Sequence, residues 1–254
     1  MDGEQQWERG LVTGASAGIG AEYLRQLAPR CAALTAVARR GERLRALAAE
    51  LAPLCELQVL EADLRQREGQ ARVVEHLRQH GPFDLLVNNA GYSTFGPFAR
   101  ADLDDELGML QLHEQATLTL TRAALPGMLE RGAGALVNVS SIGAFVPLPG
   151  VATYAATKAF LLSFSRSLQA EVAGRGIRVQ CLCPGYTRTE IHSRETFAGF
   201  DPAQVPEELW MESDAVVAES LAALDRGELL VVPGARNRAL ARQSLRALAD
   251  SLPE

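Results

Sequence analysis

The chain has 254 residues, 47% of them hydrophobic and 22% charged, with a formal net charge of -6. That composition suits a soluble globular protein and is large enough for one α/β domain spanning 1–254. The acidic balance, with no basic run longer than the pair Arg39-Arg40, argues against nucleic acid or an anionic membrane as partner. Residues 1–9 are polar and acidic where a signal peptide would be basic and then apolar, and no run of about 18 apolar residues occurs. The expected location is cytoplasmic. The cysteines are Cys31, Cys55, Cys181 and Cys183, and no second Cys/His pair at ligand spacing accompanies Cys181-x-Cys183, so no metal is expected. Strand alternation would turn that pair to one face of the core.

In chain order, Leu11-Val12 is a short apolar segment leading into Thr13-Gly14-Ala15-Ser16-Ala17-Gly18-Ile19-Gly20, and residues 21–28 form a helical stretch stopped by Pro29. Strand, glycine turn and helix in that order is the setting of a phosphate site. Glycines let the backbone approach a pyrophosphate, and free N–H groups with the helix dipole favour the anion. The spacing is G-x-x-x-G-x-G, distinct from the commoner G-x-G-x-x-G. Residues 32–38 give a second strand ending in Arg39. In dinucleotide folds an acidic residue at this position accepts from the ribose 2′-hydroxyl, whereas an arginine accommodates a 2′-phosphate, which puts NADP(H) ahead of NAD(H).

A helix over 41–51 presents Leu44, Leu47, Ala48 and Leu51 on one face, and Leu57-Gln58-Val59-Leu60 is the next strand, closing with Asp63-Leu64. A third helix occupies 65–80. Asp84-Leu85-Leu86-Val87 then runs into Asn88-Asn89-Ala90-Gly91. Repeated β-α units with near-continuous apolar strands imply a parallel sheet covered on both faces by helices. Residues 103–131 are long enough for two helices, 135–139 form a strand ending in Ser140-Ser141, and a helix follows over 153–172. The strand 177–183 stops at Pro184-Gly185. Residues 186–212 have no clear period and contain Phe197, Phe200, Pro202, Pro206, Trp210 and Met211; so long an irregular segment suits a substrate lid or a disordered connection. A helix over 213–224, a strand over 229–232 and a last helix from 236 complete the chain.

Tyr154 and Lys158 lie four residues apart in the helical stretch, so they share a face one turn apart. A free phenol titrates near pH ~10, and a cation within about 4–6 Å lowers that by roughly 1–3 units. This is the arrangement of an acid/base device.

Taken together, Thr13-Gly14-x-x-x-Gly18-x-Gly20, Asp63, Asn88-Asn89-Ala90-Gly91, Ser141, Tyr154-x-x-x-Lys158 and Pro184-Gly185 followed by Thr189 resemble the short-chain dehydrogenase/reductase family over nearly the whole chain. The resemblance implies a single-domain Rossmann fold, a doubly wound seven-stranded parallel sheet with helices on both faces, and a homodimer or homotetramer. It implies a hydride transfer between nicotinamide and a carbonyl or secondary alcohol. Tyr154 would be the general acid/base, Lys158 would lower its pKa and hold the nicotinamide ribose, and Ser141 would donate to the substrate oxygen. Asp63 would meet the adenine amino group and Thr189 the carboxamide. Cofactor contacts would further involve Gly14, Ser16, Ala17, Gly18, Ile19, Gly20, Arg39, Arg40, Leu64, Asn88, Asn89, Ala90, Gly91, Pro184, Gly185 and Thr187.

One position departs from the family. Where it usually has an asparagine holding a water that links the lysine to solvent, alignment on Leu120-Thr121 and Leu125-Pro126 places His113. Histidine titrates near neutrality and would either sustain the proton relay or disrupt it. The alternatives to a reductase are therefore a non-catalytic NADP(H)-binding or regulatory protein, and an epimerase or dehydratase on the same fold. Ile191, Phe197, Phe200, Trp210 and Met211, with Tyr92, Phe95 and Phe98, are candidates to line an apolar cleft for a bulky or aromatic carbonyl compound.

Overall fold

The computed structural model describes residues 6–193 and 195–253; positions 1–5, 194 and 254 of the expected domain, and so Arg194 of the expected lid, lie outside the described residues. The strands are β1 (Trp7–Thr13), β2 (Cys31–Ala38), β3 (Glu56–Glu61), β4 (Leu85–Asn88), β5 (Gly134–Val139), β6 (Ile177–Leu182) and β7 (Leu230–Val231). Between and after them run α1 (Gly18–Leu27), α2 (Gly41–Leu51), α3 (Arg67–His80), α4 (Leu103–Leu110), α5 (Ala116–Arg131), α6 (Ala152–Glu171), α7 (Ser213–Asp225) and α8 (Ala235–Asp250). The strands form one seven-stranded sheet in the order β3-β2-β1-β4-β5-β6-β7, parallel throughout. The order reverses between β1 and β4, and the crevice outside the carboxyl ends of the strands at such a switch is where doubly wound sheets take their ligands.

Successive strand residues feed opposite faces, as the pleat requires. Val12, Val87 and Val137 pack with Leu24, Leu27, Leu44 and Leu221 of α1, α2 and α7. Leu11, Leu86 and Leu136 pack with Val73, Leu77, Leu120, Met128 and Leu168 of α3, α5 and α6. Each fully buried leucine contributes roughly 1.5–3 kcal/mol of transfer free energy, so both faces of the sheet are committed and the register is firmly specified. Among the described residues no helix is long and apolar enough to cross a membrane.

Three boundaries differ from the sequence reading. β1 begins at Trp7 rather than near Leu11, because Trp7 pairs with Cys31 and is itself buried. The stretch 103–131 does form two helices, but α4 passes into α5 through a π-turn, Gln111–Gln115, with helical backbone on both sides, because no glycine or proline lies there to break it. The rod ends at Gly132, which adopts φ 65° and caps α5 as a left-handed glycine does. β7 is two residues long, shorter than expected.

A buried polar chain ties the middle of the sheet to α6. Asn88 Nδ2 donates to Asn138 Oδ1 at 2.9 Å and to Thr121 Oγ1 at 3.1 Å, and Asn138 Nδ2 donates to Ser165 Oγ at 2.9 Å. Removing one member strands buried donors, which costs roughly 1–3 kcal/mol. Asn138→Ala is therefore expected to lower the unfolding free energy by that amount, read from the urea midpoint; an unchanged midpoint would show that the chain contributes nothing.

Candidate active site

The cleft at the strand ends encloses about 1010 Å³ and is walled by the glycine turn, the ends of β2, β4 and β5, α6, and the segment after β6. Gly14 and Gly18 have φ of 66° and 54°. A Cβ on Gly14 would stand 2.7 Å from Ala90 Cα, and one on Gly20 would stand 2.4 Å from Gly14 O. The turn is thus closed against the β4 loop and against its own helix. Thr13 fixes that contact, its hydroxyl accepting from Asn89 N and Ala90 N at 2.9 and 3.0 Å and donating to Val87 O at 3.2 Å. Asn89 Nδ2 adds a bond to Thr13 O at 2.8 Å. Ala17, extended at φ -167°, precedes α1 and offers no side-chain cap. The first N–H groups of α1 are therefore available to an anion in the cleft, which is the fit a pyrophosphate requires.

At the β2 end, Arg39 is half-exposed and 3.9 Å from Asp63 Oδ2. Arg40 donates to Ser16 Oγ from Nε and Nη2 at 3.1 and 2.9 Å. Asp63 accepts from Arg65 Nη2 at 2.9 Å and from Arg65 N at 3.0 Å; burial opposes, but the bonds from Arg65 and the charges of Arg65 and Arg39 hold its carboxyl below the usual range. Leu64, Asn89, Ala90, Gly91, Pro184, Gly185, Thr187, Thr189, Ser16, Ala17, Gly18 and Ile19 border the cleft with Gly14. Asn88 and Gly20, expected as cofactor contacts, do not border it: Asn88 turns into the buried chain described above, and Gly20 packs on the backbone of Gly14.

At the other end, Ser141, Tyr154 and Lys158 converge on the cleft. Ser141 follows β5, and its Oγ accepts from Gly143 N at 3.1 Å. Lys158 is buried. Its Nζ donates to Val139 O at 2.9 Å and lies 5.4 Å from the centroid of the Tyr154 ring. Burial pulls the Lys158 ammonium down to about 8, against the opposing pull of the Cys181 and Cys183 thiols. The Tyr154 phenol is pushed up by burial, with the Ser141 hydroxyl bond as the lowering influence and the Cys183 charge adding to the rise. The lowering expected from Lys158 is not what the site shows: enclosure penalises the phenolate, and the lysine ammonium is directed to a strand carbonyl instead. Cys181 and Cys183 do share a face, buried with their sulfurs 3.7 Å apart.

His113 sits on the π-turn, buried beneath the cleft rather than lining it. Its Nδ1 is 2.8 Å from Thr157 Oγ1, and Thr157 gives its one proton to Tyr154 O at 2.8 Å. Nδ1 must then be the donor. Nε2 accepts from Tyr92 N at 3.2 Å. Both nitrogens are thus engaged in the neutral form, and burial together with the Lys158 charge lowers the imidazole well below its ordinary range. Gly91 admits this packing, since a Cβ there would stand 2.9 Å from His113 Nε2 and 3.6 Å from Lys158 Nζ.

Tyr92, Phe95, Ile191, Phe197 and Phe200 border the cleft as expected, joined by Leu148, Tyr186 and His192. Phe98 is instead exposed. Trp210 and Met211 stand behind the wall: Trp210 packs on Tyr186 and His192 at centroid distances of 5.4 and 5.0 Å, and Met211 bridges to Thr187. Sequence reasoning missed Arg43, Arg65, Thr157 and Glu190. Arg43 was accessible in principle, one helical turn after Arg40.

A family model described as short chain dehydrogenase matches residues 9–197. The chain is similar to a short-chain dehydrogenase from Sphingobium yanoikuyae solved in complex with NADPH, with 37% identity and a TM-score of 0.84 over 97% of this chain and 96% of that one. It is also similar to the bulky-bulky ketone specific alcohol dehydrogenase from Comamonas testosteroni, with 31% identity and a TM-score of 0.81 over 98% of this chain and 96% of that one. A short chain dehydrogenase of Pseudocercospora fijiensis is 35% identical over 195 residues, 75% of this chain but only 63% of the length of that protein.

The His113 geometry has a spectroscopic consequence. Its ¹⁵N signals should show the Nδ1–H tautomer with no titration near pH ~6.5, where an ordinary imidazole changes charge. Its pKa is depressed on folding, so the unfolded chain binds the proton more readily, and stability should fall as pH drops below about 6.5. His113→Asn should reduce that slope. An imidazole titrating near pH ~6.5 in the folded protein would overturn the neutral assignment.

Proposed function

The chain belongs to the short-chain dehydrogenase family, and from that premise we propose that it is an NADP(H)-dependent oxidoreductase acting on a carbonyl compound or the matching secondary alcohol. The observation carrying this reading is the convergence of Ser141, Tyr154 and Lys158 on the same cleft as the uncapped start of α1 and the arginines after β2. NADPH binding by the Sphingobium relative supports the choice of cofactor. Gly14, Gly18 and the N–H groups of α1 would hold the pyrophosphate, Arg39 and Arg40 the 2′-phosphate, and Asp63 and Leu64 the adenine. The nicotinamide supplies or accepts the hydride.

Tyr154 gives a proton to the carbonyl oxygen in reduction and takes one from the alcohol in the reverse direction. A phenol whose ionisation is opposed by burial is a proton donor at neutral pH, which suits reduction. Ser141, steadied by Gly143 N–H, orients the substrate oxygen, and Lys158 places a positive charge beneath the phenol. His113 is a positioning residue in this reading. It joins the Gly91-Tyr92 backbone to the Thr157 turn of α6, so proton supply to Lys158 does not run through its ring nitrogens. The segment 186–212 acts as the substrate lid, and Phe95, Tyr186, Phe197 and Phe200 fit a bulky or aromatic substrate, as the bulky-ketone specificity of the Comamonas relative also suggests. A homodimer or homotetramer would cover the exposed Leu103, Leu107, Leu110 and Leu118 of α4 and α5 and the stacked Phe160 and Phe164 of α6, 6.0 Å apart.

The test is NADPH oxidation across a panel of bulky ketones and aldehydes. Turnover should be lost by at least about 10²-fold in Tyr154→Phe, the scale of a removed general acid. Cofactor binding without turnover on any member, unaffected by Tyr154→Phe, would instead make this a binding protein. In the active enzyme, kcat/KM for reduction should decline above the Lys158 value of about 8, because loss of the ammonium removes the charge beneath Tyr154. A profile flat to pH ~10, the ordinary range of a free phenol, would contradict that role.

A further inference from the structure

The guanidinium groups next to the glycine turn already hold an anion, and it comes from the lid. Arg40 binds Ser16 with Nε and Nη2, while its Nη1 meets Glu190 Oε2 at 2.6 Å. Arg43, one turn further along α2, takes the other oxygen of the same carboxylate. Glu190 opens the first 3-10 turn of the lid, Glu190–Ser193, directly after Thr189, whose Cγ2 lies where a Cβ on Gly18 would come within 2.9 Å. The carboxylate therefore spans from the lid to α2, on the side of the cleft where Ser16, Arg39 and Arg40 meet.

We propose that Glu190 is an internal rival of the cofactor's 2′-phosphate, a latch that fastens the lid's first turn to Arg40 and Arg43 and that a bound phosphate breaks by taking Arg40, the arginine both would use. The proposal rests on the NADP(H) reading above. A phosphate monoester carries about -1.5 to -2 charges at neutral pH and three acceptor oxygens. It outcompetes one carboxylate for a guanidinium and repels that carboxylate when both approach. The latch is weak enough to break, since its three side chains are all substantially exposed, and exposed pairs contribute only a few tenths of a kcal/mol to about one each.

Release reaches the substrate side through two residues. Ile191 borders the cleft, and His192 packs in a ring cluster with Phe197, Phe200 and Trp210 at centroid distances of 5.5, 5.3 and 5.0 Å. Freeing Glu190 thus loosens the part of the lid that carries the aromatic wall, so a cofactor bearing the 2′-phosphate prepares the substrate end while one lacking it leaves the lid fastened.

The probes are 2′,5′-ADP, which carries the phosphate without nicotinamide, and 5′-AMP, which lacks it. Trp210 reports on the lid in a Trp7→Phe background, because Trp7 is the other tryptophan and lies buried in β1. Glu190→Gln should tighten 2′,5′-ADP by about 3–10-fold in calorimetric Kd, as expected for removing one or two weak competing pairs, and leave 5′-AMP unchanged. In the parent, 2′,5′-ADP should change Trp210 emission and 5′-AMP should not. In Glu190→Gln the emission should begin near the bound value. Equal tightening of both nucleotides, no tightening of either, or Trp210 emission indifferent to 2′,5′-ADP would overturn the latch. If the parent binds 2′,5′-ADP no more tightly than 5′-AMP, the NADP(H) reading fails and the latch with it.

Discussion

A single buried ammonium sets the terms for the end of the cleft where Ser141, Tyr154 and Lys158 converge. Lys158 lies on the buried face of α6 with one strand carbonyl, Val139 O, as its hydrogen-bond acceptor at 2.9 Å, and enclosure of that charge draws its pKa down to about 8. A second cation beside it would be costly. Burial foremost, and then the charge of Lys158 across the Cα of Gly91, hold His113 neutral, and its one proton serves as a brace, with Nδ1–H toward Thr157 and Nε2 receiving Tyr92 N–H. The glycine at 91 follows from the same crowding, since a methyl group would collide with the imidazole. The Cys181 and Cys183 thiols, near enough to favour the charged lysine, are the polarizable neighbours on the strand side.

Much of this architecture is legible in the linear chain because it rests on local rules. Strands with apolar residues at nearly every position announce a sheet covered on both sides, and the two faces divide as alternation demands. Tyr154 and Lys158 come together because a helix brings i and i+4 together, and the glycine turn is visible because only glycine tolerates the positive φ and the 2.7 Å approach to Ala90 Cα. What the chain conceals is pairing between distant segments. Glu190 follows Arg43 by 147 positions, and nothing in either neighbourhood announces the other. Asn88 belongs to a motif associated with the cofactor, yet its side chain turns inward because β5 offers Asn138 directly beside it. Proton placement on His113 is concealed for another reason. It depends on which group Thr157 donates to, a three-body question that residue spacing does not pose.

The sense of the Tyr154 shift illustrates the difference between spacing and energetics. Spacing places a cation one turn from the phenol and argues for a lowered pKa. The folded site adds enclosure, which opposes the phenolate, and it directs the ammonium to Val139 O, so burial prevails and Ser141 supplies the lowering influence. A proton donor and a proton acceptor can use the same three side chains; which one the site favours is decided by how much of the charge is left to water.

The two ends of the cleft are mechanically continuous through the segment that follows β6. Pro184 O receives Ile142 N at 2.8 Å from the turn that carries Ser141, Thr187 is tied to Gly185 O and bridged to Met211, Thr189 rests on the glycine turn, and Glu190 reaches α2. Within seven residues the backbone passes from the turn that carries Ser141 to Arg40 and Arg43. The segment beyond it is held by ring contacts among Tyr186, His192, Phe197, Phe200 and Trp210, which are broad and non-directional. Such a wall tolerates displacement better than a ladder of hydrogen bonds does, because apolar contact depends on area more than on angle. The directional restraints on this segment therefore matter more than their small individual energies suggest. Among the described residues Glu190 carries two of them, to Arg40 and Arg43, at the point where a ligand's own charge would compete.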